Sequence, residues 1–137
     1  MRIMMELFKT VKTIKSKDGV LHFKRFAIFE GLLFSIYIHY IYKEDKDPLL
    51  HDHPWNYFNL ILKGSYTEEF YGGEQIVSPG FYSYQNANRF HKIKHVNTDK
   101  VITLFITGKR FREWGYSYDN KWVHNQEYRK NKEKYSL

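Results

Sequence analysis

Short runs of alternating apolar and polar residues, broken at regular intervals by turn-forming residues, extend through most of the chain. Residues 10–16 alternate and end at Lys17-Asp18-Gly19, where Asp-Gly is a strong hairpin signal. Residues 20–30 follow as a strand expected to bury Leu21, Phe23, Phe26 and Ile28, and Gly31 punctuates it. Residues 32–42 are rich in tyrosine and isoleucine and poor in helix formers, which predicts another strand. A charged loop over 43–48 leads into His51-Asp52-His53-Pro54-Trp55. Further strands are predicted over 57–62, 65–71, 74–77, 81–84, 90–96, 100–107 and 111–118. They are separated by Lys63-Gly64, Gly72-Gly73, Ser78-Pro79-Gly80, a polar loop at 85–89, Asn97-Thr98-Asp99 and a basic turn from Gly108. Residues 125–135 are polar and are open between a short surface helix and a frayed tail. Residues 1–8 are open between a short helix and a lead-in strand. About nine or ten short strands with little helix predict an all-β antiparallel sandwich or barrel.

At 137 residues the chain is expected to form one domain. Its core is expected over about 20–124, with lead-in strands or an arm over 1–19 and a polar tail over 125–137. Aromatic residues at 19% can line a pocket as well as fill a core. The absence of cysteine excludes disulfides and thiolate metal sites. The chain has no apolar run of membrane-spanning length and no secretory signal at its start, so a soluble, cytoplasmic protein is expected. A formal charge of +7 is compatible with an anionic ligand, yet much of it is scattered lysine that solvates a surface. With no RNP-like, helix-turn-helix or Walker-type motif, nucleic acid is not the expected partner.

The histidine pair changes this picture most. In extended backbone His51 and His53 share one face, with Cα atoms roughly 6.5–7 Å apart, while Asp52 looks the other way. That spacing suits two imidazoles on one metal ion. An isolated His-x-His also arises by chance, so a third ligand is required, and His91 is the best candidate. His95, four residues on, falls on the same face of a regular strand and is a possible fourth. His39, alone in the apolar run 36–42, reads as a support for the site rather than a ligand. Tyr66 and Glu68 share a face. Glu68 is open between a general base and a solvated edge charge. Trp55 is open between a pocket wall and a core plug. Arg89 is expected to point away from His91. Arg110 and Arg112 share a face and are open between an anion clamp and surface charge.

The pattern resembles the cupin superfamily, whose first motif carries a histidine pair and a later glycine, here His51, His53 and Gly64. Its second motif carries a glycine, a Pro-Gly turn and a histidine, here Gly73, Pro79-Gly80 and His91. The usual glutamate position falls near Tyr57 or Phe58, so that ligand is missing. A closer likeness is to little-characterised cupin-like proteins of bacteria and phages. It rests on His51-Asp52-His53-Pro54-Trp55, on Leu-Lys-Gly-x-Tyr-x-Glu over 62–68, and on Arg-Phe-His over 89–91. It continues in Thr-Leu-Phe-Ile-Thr-Gly over 103–108 and Arg-Glu-Trp-Gly over 112–115, and covers roughly residues 20–128.

The resemblance implies a small jelly-roll barrel (a double-stranded β-helix) with a short C-terminal helix or tail. It implies a divalent metal (Fe(II), Mn, Ni, Co or Zn) on His51, His53 and His91 in the barrel mouth, and a homodimer. The three-histidine set is similar to that of thiol dioxygenases, which use Fe(II). The expected function is a metal-dependent small-molecule enzyme, dioxygenase-like or an isomerase, with Tyr57 and Glu68 as catalytic candidates. His39, Trp55, Tyr57, Tyr66 and Arg112 are expected to line the substrate pocket. The alternatives are a binding module for a small anionic ligand (nucleotide or sugar nucleotide) and a structural or assembly role.

Overall fold

The structure, a computed structural model, describes residues 10–135. The expectation for residues 1–8 lies outside the described residues. Eleven strands run in order: β1 (Thr10–Lys15), β2 (Leu21–Glu30), β3 (Ser35–Ile41), β4 (Tyr57–Lys63), β5 (Tyr66–Phe70), β6 (Gly73–Val77), β7 (Tyr82–Gln85), β8 (His91–Val96), β9 (Val101–Thr107), β10 (Gly115–Tyr118) and β11 (Lys121–His124). A short helix, α1 (Asn125–Lys130), and a 3-10 turn (Lys132–Tyr135) follow. All strand pairs are antiparallel. No described helix is long and apolar enough to cross a membrane.

One sheet has six strands in the order β1-β2-β3-β9-β4-β7, and facing it is β6-β5-β8. The stretch around His51 bridges β8 and β10, through His51↔His91 and His51↔Tyr116, and so joins the β10-β11 hairpin to the smaller sheet. The two sheets enclose a core closed at one end by Ile41, Ile61, Tyr66, Val77 and Val101. Ala27, Tyr37, Tyr57 and Phe105 form a second cluster with Trp55 against it. Leu49 and Tyr116 pack against Tyr128 of α1.

Alternation explains most inward positions, with two informative departures. In β2 the inner face is carried by Phe23, Arg25 and Ala27, because β2 pairs with β3 without interruption from Phe23 to Ala27; Phe26 therefore turns outward against Tyr40. In β8 an extra residue at Lys94 interrupts the pairing with β5, where Glu68 meets Ile93 and Thr67 meets His95. Gly64 adopts φ +81, and a Cβ there would lie 2.1 Å from the Lys100 carbonyl oxygen, so only glycine fits this turn. The sequence predicts a last strand over 111–118 and none after it, whereas β10 begins at Gly115 and turns back into β11. Asp119 and Asn120 both take positive φ and make the pair a tight hairpin.

Candidate metal centre

The site begins with backbone pairing. His51 exchanges both hydrogen bonds with His91, the two N–H···O distances being 2.9 and 3.0 Å. That places one histidine of the pair directly beside the third. His53 N–H donates to the Ala87 carbonyl at 2.9 Å, and Asp52 N–H donates to the Gly115 carbonyl at 3.0 Å. The segment is thus held in extended form from both sides, and its alternation sends His51 and His53 inward and Asp52 outward.

The three imidazoles form a nearly equilateral triangle, with ring centroids 5.2, 5.0 and 5.0 Å apart. One nitrogen from each lies within 4.8 Å of the others. His53 Nε2 and His91 Nε2 are 2.8 Å apart. Two nitrogens sharing one ion at about 2.0–2.1 Å stand about 3.0–3.4 Å apart, so a small outward adjustment seats a metal. Burial holds His51 and His53 well below the usual histidine value. They are therefore neutral, the form that binds metal. The donor set fits a divalent transition metal.

Glu68 sets the third ligand. Its Oε2 accepts from His91 Nδ1 at 2.8 Å, which leaves the Nε2 lone pair facing the other two rings. Burial alone raises the Glu68 carboxyl, but hydrogen bonds from His91, Arg89 and Gln75 outweigh it and hold it at about 2. Arg89 makes a two-pronged contact, at 2.9 Å to Oε1 and 3.2 Å to Oε2, and Gln75 donates to Oε1 at 2.8 Å. Glu68 is thus neither a solvated edge charge nor a free base. Arg89, expected to point away, turns in because it lies in the loop before β8 rather than in a strand.

Tyr57 stands with its hydroxyl 3.4 Å from His91 Nε2. Burial, followed by the Glu68 charge, pushes its phenol well above the ordinary value, so it keeps its proton. Trp55 stacks on His53 at 4.8 Å between centroids and 9° between planes, which makes it a wall of the site. Tyr66 lies on the cavity floor and accepts from Asn59 Nδ2 at 3.1 Å. His39 lines the cavity away from the triangle and accepts from Arg25 Nε at 3.0 Å.

Two expected roles are corrected. His95 is exposed and outside the cluster, because the extra residue at Lys94 breaks the i, i+4 parity that would have aimed it inward. Arg112 does not line the cavity at the three histidines. It donates at 2.9 Å to Asp52 Oδ2, at 2.9 Å to the His53 carbonyl and at 3.3 Å to the Ala87 carbonyl, fastening the histidine segment from behind. Arg110 pairs with Glu113 at the surface.

The triangle opens on a cavity of about 170 Å³. Its walls include residues that the sequence did not single out: Lys12, Arg25, Asp45, Asn59 and Thr103. Asp45 comes from the charged loop after β3. It accepts from Ile93 N–H at 2.8 Å, and burial raises its carboxyl above the usual range.

No protein-family model and no curated protein matches the chain. Solved structures do. One is a putative mannose-6-phosphate isomerase from Ralstonia eutropha JMP134, with TM-score 0.58 and 14% identity, covering 64% of this chain and 84% of that one. A second is Fe(II) HppE, with TM-score 0.58 and 12% identity over 70% of this chain; the match spans only 55% of HppE. A third is KdgF from Halomonas sp., with TM-score 0.55 and 13% identity, covering 72% of this chain and 89% of that one. At such identities the likeness concerns the fold alone, and that fold, shared by the neighbours and by this chain, is the cupin jelly roll.

Proposed function

We propose that the chain is a metal-dependent enzyme acting on a small molecule. The observation that carries this reading is the convergence of His51, His53 and His91 on one side of an enclosed cavity. Three imidazoles on one side leave coordination positions facing the cavity. A bound divalent ion would supply Lewis acidity or, if redox-active, electron transfer of the dioxygenase type. The chain's own residues do the rest. Glu68 orients His91 and Trp55 holds His53 by stacking. Tyr57 offers a protonated hydroxyl beside His91 Nε2. Asp45, its carboxyl raised by burial, is the cavity group suited to exchanging a proton with substrate. The Fe(II) named for HppE supports a metal-dependent reading without choosing the reaction.

The cavity size favours a small substrate over a nucleotide. A cavity of about 150 Å³ accommodates a molecule the size of benzene. The likeness of the His51–Trp55 segment to the bacterial and phage cupin-like group belongs to the same reading, since His51, His53 and Trp55 face the cavity and Asp52 anchors the segment.

The test is metal loading. Protein stripped with chelator and reloaded separately with Fe(II), Mn(II), Ni(II), Co(II) or Zn(II) is expected to retain about one ion per chain after desalting. Retention should be lost in the His51→Ala/His53→Ala double variant. Failure to retain any of the five ions would overturn the reading.

A further inference from the structure

The inner face of the six-stranded sheet carries a row of directly opposed residues: Lys12↔Arg25, Arg25↔His39 and His39↔Thr103. Cross-strand partners share a face, and all four line the cavity opposite the smaller sheet that holds His91 and Glu68. Two cations therefore stand side by side on a cavity wall, an arrangement that is destabilising by itself. Neither is in an ion pair among the described residues. Arg25 spends Nε on His39 and lays its guanidinium over the Tyr37 ring at 4.5 Å, leaving its terminal nitrogens unbonded among the described residues. Lys12 is largely exposed as a residue, yet it reaches the cavity rim. Both cations lie below their ordinary values, first through burial; for Lys12 the charge of Arg25 adds to it. Glu68 is taken up by Arg89 and His91, while Asp45 bonds to backbone and its charge favours the Lys12 ammonium without forming an ion pair with either cation among the described residues.

A second observation points to the same ligand. Asn59 Oδ1 and Thr103 Oγ1 are buried, with residue exposures of 8% and 1%, and have no hydrogen-bond partner among the described residues. Both residues line the cavity. Buried polar atoms are ordinarily satisfied, and a group that both donates and accepts would satisfy these two.

We infer that Lys12 and Arg25 seat the anionic group of the substrate, while Asn59 and Thr103 receive a hydroxyl, so that the substrate is a small hydroxylated acid. This inference deepens the proposed function and rests on its reading of the cavity as the substrate site. The shared chemistry is a compact oxyanion (carboxylate or phosphate) on a short polar carbon skeleton. A guanidinium beside an ammonium suits it, because the planar fork and the point charge contact different oxygens.

The experiment is isothermal titration of the whole protein, metal-loaded and metal-stripped, with glycerate, glycerol 3-phosphate, inorganic phosphate and uncharged glycerol. At least one organic anion should bind, whereas glycerol should not. Lys12→Gln and Arg25→Gln should each weaken that binding on the order of 10- to 100-fold. Asn59→Leu should weaken the hydroxylated anions more than inorganic phosphate. Lys12 sits on the rim, so K12Q keeps the test valid if R25Q fails to fold. Glycerate against glycerol 3-phosphate distinguishes carboxylate from phosphate. Metal content measured on the same samples separates the two readings. Anion binding that depends on Lys12 and Arg25 in a protein that holds no metal would leave this inference standing and overturn the metal enzyme. Organic anions that bind no better than glycerol, or binding indifferent to both K12Q and R25Q, would overturn the inference.

Discussion

Glu68→Gln tests the centre at one atom's cost. Both carboxylate oxygens of Glu68 act only as acceptors: Oε1 receives Arg89 and Gln75, and Oε2 receives Arg89 and His91. A glutamine amide has one oxygen and one NH2, and in either orientation the NH2 faces two donors. If it faces His91, the imidazole loses the bond that fixes its tautomer and aim. If it faces Gln75, His91 is left with a neutral amide oxygen, a weaker acceptor than a carboxylate, and in either orientation one prong of the Arg89 fork is lost. Disturbing such a support costs about 10- to 100-fold in metal affinity, or about 1.4–2.7 kcal/mol. The Glu68 side chain is only 9% exposed, so solvent compensates little. The assay is competition of wild-type protein and E68Q with a chromophoric chelator for Zn(II), alongside urea unfolding of both in the metal-free state. The expected outcome is weaker Zn(II) binding in a folded variant. An affinity within twofold of wild type would refute the claim that Glu68 positions the third ligand.

Asp52→Asn places an NH2 against donors in the same way, because Oδ1 receives Gly115 N–H at 2.7 Å and Oδ2 receives Arg112 at 2.9 Å and Trp122 at 3.1 Å. Breaking a buried pair costs about 3–5 kcal/mol, and the 27% exposure of the Arg112 side chain puts the expected loss near the lower bound; a urea midpoint equivalent to less than about 1 kcal/mol would contradict this. Metal-free protein should lose stability as pH falls below about 6.5. Burial holds His39, His51 and His53 well below their unfolded value, so the unfolded chain binds protons that the native one refuses. Each contributes up to about 1.4 kcal/mol per pH unit below that point and nothing above it. Glu68, at about 2 in the fold against an ordinary 4.5, adds stability that is present above 4.5 and lost as pH falls towards 2. Urea midpoints that stay flat between pH 7 and 5 would contradict the buried, neutral histidines.

The parts of the centre legible in the sequence are those that obey a local period. His51, His53 and the opposed Asp52 follow from strand alternation, and Tyr66 and Glu68 share an inner face for the same reason. What Glu68 meets was not legible, because Arg89 reaches it from a loop. His95 was misplaced by one extra residue in β8, and no composition signal marks such a bulge. Arg112 joins Asp52 across sixty residues, beyond any periodicity. Lys12, Arg25, His39 and Thr103 become one row only through strand register, which sequence spacing does not reveal. An antiparallel sandwich or barrel was legible from turn residues and β-rich runs, and the jelly roll came from the resemblance carried by the histidine motifs; the β10-β11 hairpin was not legible because its turn uses Asp119 and Asn120 rather than glycine.

The anchoring of Asp52 makes the centre adjustable from a distance. The two imidazoles flanking it take their aim from the β10-β11 hairpin and the loop before it, neither of which lines the cavity. Changes at Arg112 or Trp122 should therefore shift the preference among ions while leaving the substrate walls intact. Efforts to retune this centre have a natural target in that hairpin and the loop before it, where a substitution should tilt the paired rings without rebuilding the chamber they face.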